Sequence, residues 1–163
     1  MKKKNQNIQY LIKKKYRYQL LENGFSDQDI AIGKKVLNSK RITMASHTRN
    51  FEIAFANKIG AKHALMVNSG SSANLLSIFA AGNPLRKNRL MRNDEVLIPV
   101  LCWSTSLWPL VQFGLKPKFI DIDLETLNIN IQDLKKKISK KTKAIMLINV
   151  LGNSSDLFEI KKI

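Results

Sequence analysis

A single cysteine, Cys102, leaves no partner for an internal disulfide, so the fold must close on packing and suits a reducing compartment. The two histidines, His47 and His63, have no Cys or carboxylate at metal-ligand spacing, and no metal site is read from them. No apolar run approaches about 18 residues, so no membrane-spanning segment and no membrane partner are expected. The basic N-terminus lacks the apolar core and small-residue cleavage site of a secretory signal, which makes the cytoplasm the expected location. Both standard nucleotide fingerprints are missing as well: neither GxGxxG nor GxxxxGK followed by Ser or Thr occurs.

Acidic residues are scarce too. Twelve Asp and Glu face 28 Lys and Arg, a formal charge of +16. Such a field attracts polyanions, and nucleic acid, acidic lipid and phosphorylated metabolites all come into view. Yet the lysines are scattered over helical faces (Lys13 to Lys15, Lys34-Lys35, Lys135 to Lys137, Lys140-Lys141) with no nucleic-acid motif beside them. Nucleic acid is therefore not an expected partner, although a basic binder would show itself by a steep loss of affinity with salt.

What is present is an ordinary globular mix, 44% hydrophobic and 25% charged, in 163 residues, long enough for a domain with a real core. Residues 1 to 20 are Lys-rich with Tyr10, Tyr16 and Tyr18 interleaved and read as a solvated leading helix. Ser26-Asp27-Gln28-Asp29 opens a helix through a capping-box variant, and Asn38-Ser39 close it. Residues 40 to 48 show no periodicity and read as a loop. Phe51, Ala54, Phe55 and Ile59 give an amphipathic helix ending at Gly60. The organisation expected is a helical segment with a loop over 1–60 and an α/β domain over 61–163.

In that second part, strands are expected at Ala64 to Val67, Glu95 to Val100, Lys118 to Asp123 and Lys143 to Val150. Helices alternate with them, and Pro109 is tolerable only in a first turn or at a kink. Continuous apolar strands alternating with helices argue a parallel sheet covered on both faces, with the ligand beyond the C-terminal strand ends. The serine turn, Cys102-Trp103, Asp121 to Asp123 and Asn149 to Asn153 all follow strands and converge there. The last helix, from Leu157, has barely begun at Ile163, so the chain reads as the front part of a longer enzyme.

The stretch Asn68-Ser-Gly-Ser-Ser-Ala-Asn74 joins an apolar run to a helix, and two readings of it stand side by side. Ser69, Ser71 or Ser72 caps the helix as serine does at many N-termini. Alternatively the free amides, helix dipole and hydroxyls hold an anion, most usefully a phosphate.

Eight segments in register decide the resemblance: Phe51 to Ala56, Asn68 to Asn74, Asp94 to Pro99, Cys102 to Ser106, Gly114 to Asp123, Thr126 to Ile129, Thr142 to Ile145, and Asn149 to Asn153. In order and spacing, over roughly residues 40 to 163, the chain resembles the DegT/DnrJ/EryC1/StrS family of pyridoxal-phosphate-dependent sugar aminotransferases and dehydratases. Trp103-Ser-Thr-Ser and Asn149-Val-Leu-Gly-Asn are most similar to its 3-dehydratase branch. The resemblance implies the front part of the large domain of a fold-type-I pyridoxal-phosphate transferase. It also implies a homodimer in the full-length form and a nucleotide-linked 4-keto-6-deoxy sugar as substrate. The expected chemistry is C3 dehydration with the cofactor as pyridoxamine 5'-phosphate, in deoxysugar and surface-polysaccharide biosynthesis. The alternatives are a sugar aminotransferase of the same family, or a non-catalytic remnant.

Residue by residue, Gly70, Ser71 and Ser72 become the cofactor phosphate cradle, and Trp103 the aromatic on the pyridine ring, unless it is a packed aromatic at a helix start. Asn149 faces the cofactor. Arg41, Ile42, Thr43 and Met44 meet the nucleotide-sugar, with a plain surface loop as the other reading. No catalytic residue falls in this chain: the family's carboxylate against the pyridine nitrogen and its Lys or His come later. Two departures stand out. Asn93 replaces a common glycine, and Ala45 to Thr48 replaces the glycine-rich loop before the Phe51 helix.

Overall fold

A computed structural model of the chain describes residues 24–43 and 45–163. The expected leading helix and Met44 lie outside the described residues. The chain divides into two compact units between Met66 and Val67.

Among the described residues the first unit holds two helices, α1 (Asp27–Asn38) and α2 (Ser46–Ile59). α1 begins as its sequence dictates. Ser26 Oγ accepts from the Asp29 amide at 3.2 Å, and the Asp29 carboxylate accepts from the Ser26 amide at 2.9 Å, closing the capping box. α2 starts at Ser46, inside the stretch expected to be loop. Its N-cap is Ala45, which offers no side-chain cap, so nothing in the sequence marks the start. It stops at Gly60, which takes a left-handed φ of 68°. Glu52 on α2 accepts from the Met66 amide at 2.8 Å and ties the exit of the unit back to the helix.

Ala64 to Val67 forms no strand, against expectation. It has no ladder partner among the described residues, and Leu65 and Met66 are exposed. An apolar run becomes a strand only where another strand takes up its amides and carbonyls.

The second unit is α/β. In chain order it comprises α3 (Gly70–Ala81), β1 (Glu95–Pro99), α4 (Ser104–Phe113), β2 (Lys116–Ile120), α5 (Ile131–Lys137), β3 (Thr142–Ile145), a 3-10 turn (Val150–Gly152) and α6 (Leu157–Lys162). Among the described residues the sheet has three strands rather than the expected four, in the order β2-β1-β3, and both pairings are parallel. β1 runs in register with β2 from Glu95 opposite Lys116 to Pro99 opposite Ile120.

Both faces of the sheet are covered, as the continuous apolar strands required. Val96 and Ile98 point to one side, packed with Ile78 of α3, Leu90, and Leu110 and Leu115 at α4 and its end. Leu97 points to the other, with Ile120, Ile129 and Leu134 of α5. β3 is shorter and less buried than its apolar sequence suggests. It is an edge strand, and after Ile145 only the Met146 amide still reaches Leu97, at 2.8 Å.

Turn chemistry sets the entry to β1. Asn93 takes a φ of 71°, the left-handed conformation for which glycine is the common choice, and its amide bonds the Gly114 carbonyl at 2.8 Å. Gly114 ends α4 at φ 83°. Pro109 departs from the expectation. It lies well inside α4 and is buried, which leaves the Thr105 carbonyl without a helical donor. Among the described residues no helix is long and apolar enough to cross a membrane.

Two predictions follow from this packing. A Cβ at Gly82 would run into the ring of Phe113, which meets Phe79 edge-on with centroids 5.3 Å apart. Gly82→Ala should cost about 1–3 kcal/mol in urea unfolding, and Phe113→Leu in the same chain should recover part of it.

The second concerns acid. Glu95 sits where the three strands begin, accepting from Thr142 Oγ1 at 2.7 Å and Ser139 Oγ at 3.3 Å, with Lys118 Nζ at 3.7 Å. The Thr142 hydrogen bond above all, with Lys118 adding to it, holds its carboxyl below the ordinary value. The folded chain therefore binds this proton more weakly than the unfolded one. The contribution to stability is complete above the ordinary glutamate pKa of about 4.3 and decays as pH falls below it. Glu95→Gln should flatten the loss of stability between about pH 5 and 3 in acid titration; an unchanged profile would refute the link.

Candidate functional site

Because β1 and its neighbours are parallel, every chain segment that leaves them does so at one edge of the sheet. The first element, the start of α3, follows no strand among the described residues, but Asn74 ties it to the start of α4, which leaves β1 there. Ser69, extended at φ −161° and ψ 160°, is the N-cap of α3: its Oγ accepts from the Ser72 amide at 3.2 Å, and the Ala73 amide bonds the Ser69 carbonyl at 3.0 Å. That leaves the amides of Gly70 and Ser71 without a partner among the described residues, on the positive end of the helix dipole. The Ser71 hydroxyl is exposed and unbonded among the described residues, and Ser69 Oγ reaches Ser72 Oγ at 3.2 Å. A Cβ at Gly70 would meet no protein atom within 4 Å, so the space beside its amide is open. Capping and a cradle are thus not exclusive. Ser69 caps, and the two amides ahead of the capped one remain for an anion.

The second element is the start of α4. Trp103 is its N-cap, extended at φ −72° and ψ 142°, and accepts the Ser106 amide at 2.8 Å through its carbonyl. Trp103 is 74% exposed, so little of the described structure packs against it. Cys102, beside it, is half-buried against the sheet, and burial pushes its thiol pKa up, so it is no ready nucleophile.

α3 and α4 are joined by one side chain that the sequence reading left without a role. Asn74 Nδ2 donates to the Thr105 carbonyl and to Ser106 Oγ, each at 3.4 Å. The signal that would have found it is Pro109, which frees that carbonyl and so demands a donor from elsewhere.

The third element is the loop after β3. Asn149 turns its side chain back into this loop, where its Oδ1 accepts from the Ser155 amide at 3.0 Å. Asn128, buried in the connection between β2 and α5, donates to the Asn153 carbonyl at 3.1 Å and accepts from the Val150 amide at 3.4 Å. The aspartates after β2 are committed locally. Asp121 Oδ1 accepts from the Ile122 amide at 2.8 Å. Asp123 accepts from the Thr126 and Glu125 amides at 2.9 and 3.0 Å, of which the Thr126 bond contributes most to holding its pKa low. Among the described residues no three His, Cys, Asp or Glu are grouped to hold a metal ion.

Arg41, Ile42 and Thr43 belong to the first unit, where they line a shallow hollow with Ser39, Lys40, Ala45, Ser46 and His47. Gly70, Ser71, Ser72, Trp103 and Asn149 belong to the second.

The model of the DegT/DnrJ/EryC1/StrS aminotransferase family matches residues 25–163. The chain belongs to this family. It is 44% identical over 146 residues to the GDP-4-keto-6-deoxy-D-mannose 3-dehydratase of Escherichia coli O55:H7, a match covering 90% of this chain and 37% of that one. The solved E. coli GDP-4-keto-6-deoxy-D-mannose-3-dehydratase with bound hydrated PLP superposes with a TM-score of 0.85, at 42% identity, over 90% of this chain and 37% of its own. A Helicobacter pylori aminotransferase involved in the biosynthesis of pseudoaminic acid follows at TM-score 0.76 and 26% identity, over 90% and 38%. The chain therefore spans a little over a third of the length of these family members.

Loss of Asn128 should loosen the loop after β3 specifically. Asn128→Ala takes this partner from the Asn153 carbonyl and the Val150 amide, at about 0.5–1.5 kcal/mol in unfolding. Amide exchange at Val150 to Ser155 should quicken while the β1 amides stay protected. Uniform quickening across both would contradict a local role.

Proposed function

We propose that this chain is the cofactor-anchoring front part of a pyridoxal-phosphate-dependent enzyme. Its substrate is a nucleotide-linked 4-keto-6-deoxy sugar, and the reaction is loss of the C3 hydroxyl. The observation that carries the reading is the pairing of two free amides and a free hydroxyl at the start of α3 with an exposed indole at the start of α4, at one edge of a parallel sheet. Likeness to the 3-dehydratase over nine-tenths of the chain supports the substrate class and the reaction. A sugar aminotransferase is the second reading, favoured by the likeness to the pseudoaminic acid enzyme.

The residues fit the cofactor. Gly70 and Ser71 would bind its phosphate through their amides, Ser71 and Ser72 through their hydroxyls, and the helix dipole would favour the dianion. Trp103 would cover one face of the pyridine ring, and Asn149 would border the same site. Arg41 with Ile42, Thr43 and Met44 would meet the diphosphate of the sugar nucleotide. When bound in its amine form, the cofactor would supply an acidic C–H next to its nitrogen and a conjugated path along which the electrons left by that proton expel the C3 hydroxyl. Nothing in this chain is assigned to move that proton. Its part is to bind and orient. The complete enzyme would act as a homodimer in the cytoplasm.

The test uses pyridoxamine 5'-phosphate, which unlike the aldehyde forms no imines with the many surface lysines. In a Trp108→Phe background, Trp103 fluorescence should be quenched saturably, and inorganic phosphate should compete. Ser71→Ala together with Ser72→Ala should weaken binding about tenfold or more, as for hydrogen bonds to a charged group. Equal quenching by pyridoxamine lacking the phosphate, or indifference to the serine changes, would remove the cradle. For the reaction, residues 25–163 can replace the matched segment of the E. coli dehydratase. Supplied with an amino acid to reload the cofactor's amine form, the chimera should release a 3-deoxy product from GDP-4-keto-6-deoxymannose, whereas a 4-amino product would favour the aminotransferase.

A further inference from the structure

We propose that Asn74 is a positioning residue: it locks the start of the Trp103 helix onto the cradle helix by supplying the donor that Pro109 withholds. The consequence for cofactor binding rests on the reading above; the lock itself does not.

α4 carries an internal defect. Pro109 has no N–H, so the Thr105 carbonyl four residues earlier lacks its helical partner. Pro109 is buried and Ser106, next to Thr105, is only 5% exposed, so bulk water is a poor substitute on this face. The Ser106 hydroxyl needs a partner there as well. Asn74, half-buried on the second turn of α3, brings one amide group within 3.4 Å of both acceptors. A carboxamide carries two N–H bonds, one for each. The two contacts link different helices, and no other side-chain hydrogen bond between α3 and α4 occurs among the described residues.

The lock sits where it sets geometry. Asn74 lies one helical turn beyond Gly70 and Ser71, whose amides are free. Thr105 and Ser106 lie in the first turn of α4, and the Ser106 amide bonds the Trp103 carbonyl at 2.8 Å. A short rigid path therefore runs from the free amides through Asn74 to the backbone that carries the indole. The proline makes the arrangement specific. An ordinary residue at 109 would give the Thr105 carbonyl a donor within α4 and so lessen its dependence on Asn74.

The prediction is a coupling between two residues on different helices. In the 163-residue chain with Trp108→Phe, three quantities are followed: the urea midpoint, the fluorescence anisotropy of Trp103, and the affinity for pyridoxamine 5'-phosphate. Asn74→Asp is nearly isosteric but sets a carboxylate against a carbonyl. It should lower the midpoint and the anisotropy and weaken binding about tenfold, as Asn74→Ala should. Pro109→Ala restores a donor to Thr105, so in that background Asn74→Ala should lose about half or more of its effect on all three. Strict additivity, or an Asn74→Asp chain equal to its parent, would overturn the proposal. Coupling in urea with anisotropy and affinity unchanged would overturn the positioning role and leave only a packing contact. Should Asn74→Asp fail to fold, Ser106→Ala removes one acceptor alone and must lose its effect once Asn74 is Ala. A parent chain that binds no pyridoxamine 5'-phosphate would defeat the cofactor reading, while the urea and anisotropy cycles would still decide the lock.

Discussion

Everything in the second unit depends on β1 being hydrogen-bonded on both sides. Val96, Leu97 and Ile98 are almost fully buried, and they alternate between two apolar clusters on opposite faces of the sheet. A strand in that position has no polar face to offer water. It is stable only if parallel neighbours take its backbone groups and helices cover both of its sides. Parallel neighbours in turn require crossover connections, so each strand hands the chain on at the same edge. The segments carrying Trp103 and Asn149 leave β1 and β3 at the same end of the sheet, and Asn74 ties the start of α3 to the first of them. Site and core here are two consequences of one pairing.

Local signals were legible where one residue decides the geometry. Ser26 with Asp29 gave the start of α1, Gly60 and Gly114 the stops of α2 and α4, and Asn93 the left-handed turn before β1. The resemblance, carried by eight short segments, led to the family that the match over residues 25–163 bears out. What stayed illegible depends on partners distant in sequence. Ala64 to Val67 has the composition of a strand and lacks a ladder. Lys143 to Val150 has an apolar centre, yet of it only Ala144 and Ile145 lie opposite β1 residues, and the Met146 amide makes the last bond, to the Leu97 carbonyl. The start of α2 was missed for the opposite reason: Ala45 caps it without a side chain, so no letter announces it.

The serine stretch shows how two readings that compete on paper can divide the work between them. One hydroxyl, on Ser69, is used up in capping, and it satisfies the Ser72 amide rather than those of Gly70 and Ser71. A cap of this kind stabilises a helix by about 1 kcal/mol. It also fixes the direction of the unsatisfied amides ahead of it, which is what an anion needs. Composition alone cannot separate the roles of Ser69, Ser71 and Ser72; the hydrogen-bond register does. The same holds for Asn74, whose part emerges only when Pro109, some 35 residues later, is found inside a helix.

The chemistry gathered at this edge is that of holding rather than of proton transfer. Its donors are backbone amides, hydroxyls and carboxamides, none of which gains or loses a proton near neutrality. The one thiol is driven toward its neutral form by burial. Asp123 is held below the usual carboxylate range by amides that accept no substitute, and Asp121 is turned onto its own loop. A carboxylate that binds protons weakly makes a poor base. Anchoring a phosphate and covering one ring face need only one helix turn and one aromatic, which a partial sheet can build. Abstracting a proton needs a group with a matched pKa aimed at the opposite face, and the residues after β1, β2 and β3 are chemically unsuited to it. What this edge presents is suited to binding and orienting a ligand.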